Sequence, residues 1–200
     1  MDIETLARKY YPAEGSHGWN HIEDVRNRAK AMTAKAGEAW TPEMEAAVLF
    51  HDSGLYPNGI NAHEVRDLHE SRGAEVARKA LKSRFSRQAL NNIANAIREH
   101  RASYKGEFTS PISDLVSSAD RSAPDIRKLI RRSWLYGKEN GMTDEQAYKN
   151  ILEHLPEKYG IGGYVRYPKH YTDYYGTAIK GVRDSVDKLT LDTVKKVLGK

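Results

Sequence analysis

Cysteine is absent from the 200 residues, which excludes disulfides and thiolate metal sites. Any metal must then be held by His, Asp or Glu. Long apolar runs are missing too. The longest, Ala46 to Phe50, falls far short of the ~20 residues a membrane helix needs. Met1-Asp2-Ile3-Glu4 has neither the basic nor the apolar region of a signal peptide. A soluble, cytoplasmic chain with no membrane partner is expected. Neither sign of charge dominates: 32 Lys and Arg face 27 Asp and Glu, for a formal net charge of +5 and a pI near 9.2. That tilt suits phosphorylated ligands, but the dense basic runs of a dedicated nucleic-acid binder are lacking. No internal repeat is visible, and no alternating pattern argues for strands.

What the sequence does contain is a series of helical patterns separated by short polar punctuation, so the fold class is read as all-α. Thr41-Pro42 and Ser110-Pro111 each offer an N-cap followed by proline at the first helical position, and Thr143 with Gln146 forms a capping-box pattern.

The inner faces of these helices carry unusual residues. From about 42 to 52, Met44, Ala47, Val48 and His51 share one face, and from about 86 to 101 the stripe Leu90, Ile93 and Ile97 ends in His100. Val65, His69, Gly73 and Val76 align over about 63 to 82, and Ile112, Val116 and Asp120 over about 111 to 121. Between about 19 and 37 the stripe is Ile22, Val25, Ala29, Met32 and Ala36, with His21 on its edge. Taken singly, a histidine on an apolar face is accounted for by hydrogen bonding in the core. Five helices turning such groups towards one interior are not, because a buried carboxylate among imidazoles is costly unless a cation compensates it. The stretch "LFHDSG", Leu49 to Gly54, then makes sense as two ligands presented at a helix end.

These residues resemble the HD-domain superfamily of metal-dependent phosphohydrolases, whose pattern is a histidine, an adjacent His-Asp pair and a distant aspartate: here His21, His51-Asp52 and Asp120. Ser16-His17-Gly18-Trp19-Asn20-His21-Ile22 looks like the family's "SHDxxHI", and "HESRGAEVARKAL" from His69 to Leu81 looks like its "HxxxSAxxAxxxL" helix. Ile97-Arg98-Glu99-His100 resembles "IxxH", and Ser118-Ala119-Asp120 resembles "DAD". The chain departs from the family at Gly18, where an Asp is usual, and after Asp120, where Arg121-Ser122-Ala123 replaces the "xLD" continuation. Leu55 stands where some one-metal relatives place a glutamate.

The resemblance implies a compact helical bundle with a metal site in its core, as a single domain over residues 1–200. The motif core would span 10–135, and a helical, tyrosine-rich extension 136–200. It implies a divalent-metal-dependent phosphohydrolase acting on a phosphoester or phosphoanhydride of a small nucleotide, with His51, Asp52 and Asp120 as catalytic residues. One ion (Mn, Mg, Co or Fe) would sit on His21, His51, Asp52 and Asp120; a second would add His69 and His100 with Asp52 bridging. With one ion only, those two histidines would line the phosphate pocket, and the sequence leaves both arrangements open. Arg72, Arg101, Lys105 and Arg121 flank the expected ligands and are candidate phosphate clamps, while His17 would orient a ligand or touch substrate. Two other functions stay open: an HD-fold di-iron oxygenase, and a nuclease or oligonucleotide-binding module using Arg127, Lys128, Arg131 and Arg132. The loop Ser53 to Ala62 would line or merely border the site. The tyrosines of 159–175 would stack on a base, pack over the helices or form a homo-oligomer interface. Ile179, Val182, Val186 and Leu189 describe a last amphipathic helix, and His63, His154 and His170 read as ordinary polar residues.

Overall fold

A computed structural model describes residues 2–13, 17–55 and 68–200. The greater part of the Ser53 to Ala62 loop, His63 and the first turn expected for the helix from 63 lie outside the described residues. Among those described, the chain is all-helical, with ten helices and no strand. They are α1 (Ile3–Arg8), α2 (Trp19–Lys35), α3 (Pro42–Phe50), α4 (His69–Leu81), α5 (Arg87–Glu99), α6 (Pro111–Asp120), α7 (Ile126–Glu139), α8 (Asp144–Tyr159), α9 (Lys169–Asp187) and α10 (Leu191–Leu198).

The expected helix starts are present. Thr41 accepts the amide hydrogen of Met44, Ser110 that of Ser113, and Thr143 forms a complete capping box with Gln146.

The chain divides into two compact units: residues 1–122 with 168–174, and residues 123–167 with 175–200. In the first unit α3 is the central element. Ala46, Ala47, Val48, Leu49 and Phe50 are all fully buried, as expected of a helix apolar on every side. It packs against α1, α2, α4, α5 and α6. Its C-terminal end therefore lies inside the unit, and the residues that follow, His51 and Asp52, are buried.

Two glycines let α4 close onto that end. A β-carbon at Gly54 would lie 2.1 Å from the His69 carbonyl oxygen and 2.6 Å from the Gly73 nitrogen, and one at Gly73 would lie 3.1 Å from Ile97 Cγ2. Only glycine permits so close an approach of backbone to backbone. Tyr11 adds a hydrogen bond from its hydroxyl to the Leu49 carbonyl at 2.9 Å.

The second unit has a conventional apolar core. Ile130, Ile151, Leu155, Val182, Val186 and Val194 are buried together, with Trp134, Tyr148 and Tyr159 packed against them.

Candidate metal centre

Three helix C-termini meet around Asp52. His51 follows the last residue of α3, His100 follows α5, and Asp120 ends α6. The partial negative charge of each terminus favours a cation there. His21, in the first turn of α2, and His69, the first residue of α4, complete the ring of side chains.

The two carboxylate oxygens of Asp52 face different imidazoles. Oδ2 lies 2.9 Å from His17 Nδ1, 3.3 Å from His51 Nε2 and 3.5 Å from His21 Nε2. Oδ1 lies 3.4 Å from His100 Nε2 and 3.5 Å from His69 Nε2. Asp120 Oδ1 stands on the first side, 3.2 Å from His21 Nε2 and 3.7 Å from His51 Nε2. Three overlapping donor sets, each within 4.8 Å, result: His17, His21 and Asp52; His21, His51 and Asp120; Asp52, His69 and His100.

The chemistry of these donors fits a metal. His51 Nδ1 donates to the Val48 carbonyl at 2.8 Å and His100 Nδ1 to the Ile97 carbonyl at 2.6 Å. Each neutral ring then turns the lone pair of Nε2 inward, the tautomer a ligating histidine needs. The Nε2 atoms of His21 and His51 are buried without a hydrogen-bond partner, an arrangement proteins ordinarily avoid. His69 and His100 bring their Nε2 atoms to 3.4 Å of each other. A cation between these atoms relieves all of this together.

Without an ion, protons compensate the charge instead. Burial opposes protonation of His51, but the Asp52 and Asp120 carboxylates push its pKa well above the ordinary histidine value, and His21 is raised by the same two groups against its own burial. Asp52 is held well below the usual carboxylate range although burial works the other way, because imidazoles surround it, His51 first. Asp120 is lowered against its burial by His21 and His51.

The structure thus brings together His17, His21, His51, Asp52, His69, His100 and Asp120. The basic residues expected near them are placed differently from one another. Arg72 follows His69 by one turn, and its Nη1 is buried with no partner among the described residues. Arg101 donates to Glu70 at 2.9 Å, and Glu70 Oε2 lies 3.4 Å from His69 Nδ1. Arg121 turns back onto its own helix, donating to the carbonyl and hydroxyl of Ser117 and, at 3.5 Å, to the Ala102 carbonyl. Lys105 is exposed and makes no hydrogen bond or ion pair with the ring.

Sequence reasoning missed two participants. Glu70, between His69 and Arg101, was available as a carboxylate next to a candidate ligand. Arg28 Nε donates to the Ala119 carbonyl at 2.7 Å and so supports the turn that carries Asp120, a contact across 91 residues with no local signal.

A family model described as HD domain matches residues 18–148, well over half of the chain. The chain belongs to the HD-domain family, whose members are in general metal-dependent phosphohydrolases. No curated protein and no solved structure gives a significant match. No helix among the described residues is long and apolar enough to cross a membrane.

Proposed function

We propose that this chain hydrolyses a phosphoester or phosphoanhydride of a small nucleotide, using divalent ions held around Asp52. The observation that carries the reading is the division of labour at that carboxylate: Oδ2 faces His21 and His51 while Oδ1 faces His69 and His100. One ion would be held by His21, His51, Asp52 and Asp120, and a second by Asp52, His69 and His100. Bound there, such ions supply Lewis-acid polarisation of a phosphoryl oxygen and a more acidic water.

The side chains do the rest. Asp52 and Asp120 supply negative charge in a site walled by apolar residues, and the backbone carbonyls of Val48 and Ile97 fix the imidazoles of His51 and His100. Arg72, with a buried guanidinium nitrogen and no partner among the described residues, is available to a phosphate oxygen. Arg101 is held by Glu70 and serves best to orient His69. His17, half exposed and bonded to Asp52, stands where an approaching phosphate would meet the site.

The test is metal content per chain, followed on the stripped protein by phosphate or pyrophosphate release from a nucleotide panel with Mn²⁺, Mg²⁺, Co²⁺ or Fe²⁺ restored. Release from one nucleotide class that depends on metal and is lost in Asp52→Asn supports the reading. Two retained irons, oxygen uptake and no phosphate release would favour an HD-fold di-iron oxygenase instead.

A longer substrate is the second reading, and the charge distribution favours it. The second unit contains 14 basic and 9 acidic residues, so it carries the whole formal excess. On α7, Arg127, Lys128, Arg131 and Arg132 are exposed, followed by Leu135 and Tyr136, each 57 % exposed. Cations beside an exposed aromatic suit single-stranded nucleic acid. Salt-sensitive binding of a labelled oligonucleotide, with metal-dependent cleavage, would support it.

A further inference from the structure

The segment Pro168–Tyr174 belongs to the first unit although it lies beyond the family match, which ends at residue 148. It contains the N-terminus of α9, and that terminus is capped from outside. A helix leaves its first amide hydrogens without internal partners. Here Lys169 N donates to Asp114 Oδ2 at 2.6 Å, His170 N to Asp114 Oδ1 at 2.8 Å, and Tyr171 N to Ser118 Oγ at 3.0 Å. The preceding residue is Pro168, which has no amide hydrogen to satisfy, and its carbonyl accepts from Thr172 at 3.0 Å. Every donor of this helix start is accounted for, and the acceptor side chains all come from α6.

The contacts continue along α6 towards its end. The Ser118 hydroxyl, buried, donates to Asp114 Oδ1 at 3.4 Å, and His170 Nδ1 donates to the same carboxylate. Tyr171, 3 % exposed, donates from its hydroxyl to the Ser122 carbonyl at 2.7 Å. One residue thus grips the chain two positions before Asp120 and two positions after it. Support is needed there because α6 stops at Asp120: Arg121 is already extended, with ψ 134°. A last helical turn frays unless something holds it, and Asp120 Oδ1 has to stay near both His21 and His51.

We propose that Pro168–Tyr174 is a strap whose Tyr171 holds Asp120 in its place, so that affinity for the ion at His21, His51 and Asp120 depends on a segment outside the family core. Tyr171 is a positioning residue, acting on Asp120 through its bonds to Ser118 and Ser122. The inference rests on the reading of Asp120 as a metal ligand, and the experiment separates the two.

Metal-stripped full-length protein is titrated with Mn²⁺ by calorimetry as wild type, Tyr171→Phe, Ser118→Ala, Asp120→Asn and His100→Ala. Amide hydrogen exchange is followed over residues 117–122 in each. Asp120→Asn is expected to weaken one binding event and His100→Ala a different one. Tyr171→Phe, which removes one hydroxyl, is expected to weaken the Asp120-dependent event about tenfold, as loss of a contact behind a ligand typically does. It leaves the His100-dependent event unchanged, with faster exchange confined to 117–122. Ser118→Ala, which removes the other grip, is expected to act the same way and stands in if Tyr171→Phe fails to fold. If Asp120→Asn weakens binding while Tyr171→Phe and Ser118→Ala bind as wild type, the strap is overturned and the ligand reading stands. If Asp120→Asn itself binds as wild type, Asp120 is no ligand and both fall. Equal weakening of every binding event by Tyr171→Phe reports general loosening and also overturns the strap.

Discussion

The two units differ in what they bury. The first has 18 basic and 18 acidic residues and seven of the eight histidines, and every buried polar residue among those described belongs to it. The second buries an aliphatic cluster and carries the +5 charge outside. The first unit has given up part of an apolar core for a ring of imidazoles and carboxylates that only a cation or protons can balance. The second has made no such concession, so substitutions in it should change stability or surface charge without reaching the ring.

The largest effect that sharpens this contrast is Asp52→Asn. It removes the one charge shared by the two proposed ion sites, so bound metal should drop to near zero and turnover to background while far-UV circular dichroism keeps its helical form. Elemental analysis and the spectrum check the two halves. His51→Ala should act on one side of Asp52 only and leave the equivalent held by His69 and His100.

Gly54→Ala tests the packing that delivers the HD pair. A methyl group 2.1 Å from the His69 carbonyl cannot be housed without moving α4, and such overpacking should cost about 3 kcal/mol or more. Urea unfolding would measure it, and metal affinity should fall with it because His69 moves. In the second unit, Ile151→Ala should cost about 3 kcal/mol by leaving a cavity, yet leave metal content unchanged. If Ile151→Ala also lost metal, the separation of chemistry from the apolar cluster would be broken.

Much of the first unit was legible because its signals are local. Helix caps such as Thr41-Pro42 act over three residues, and the i, i+3, i+4 spacing that ends in His51 or His100 states which way a helix faces. Spacing turns His51, His69, His100 and Asp120 towards one interior, and the resemblance to the HD pattern adds Asp52, beside His51, and His21, on the edge of its stripe. Contacts that no spacing encodes escaped. Arg28 reaches the Ala119 carbonyl across 91 residues and Tyr171 reaches Ser118 across 53. His170 read as an ordinary polar residue, yet it is 8 % exposed and bonded to Asp114 and Glu38. The fate of the expected clamps was equally hidden, since whether an arginine meets a phosphate or a neighbour such as Glu70 depends on which carboxylate the fold brings beside it.

Asp114→Asn sharpens the comparison by pH. The hydrogen bond to Asp114 raises the pKa of His170, helped by Glu38, while Asp114 is lowered against its burial by His170 and by the amides of Lys169 and His170. A raised histidine contributes stability that is complete below its unfolded value, about 6.5, and is lost as pH rises through the folded value. A lowered carboxylate contributes stability above about 3.9 that is lost as pH falls through its folded value. The pair is therefore strongest between those limits. Asp114→Asn should cost about 2 kcal/mol near pH 6 and distinctly less near pH 9. Chemical denaturation of both proteins at each pH isolates the difference, because other titrations cancel.

The smallest effect belongs to the surface of the second unit. Arg131→Glu with Arg132→Glu cancels most of its excess charge at exposed positions of α7, where salt screens each charge and folding is nearly indifferent to it. Stability and any metal-dependent release of phosphate from the proposed small nucleotide should stay within error. Binding of a single-stranded oligonucleotide should weaken, and the dependence of log affinity on log salt should flatten by about one for each phosphate contact removed. A flat salt dependence in the wild type would mean that the +5 serves solvation alone. The substrate would then be a small molecule that the neutral first unit recognises at the Asp52 ring, with Arg72 beside it, and owes nothing to α7.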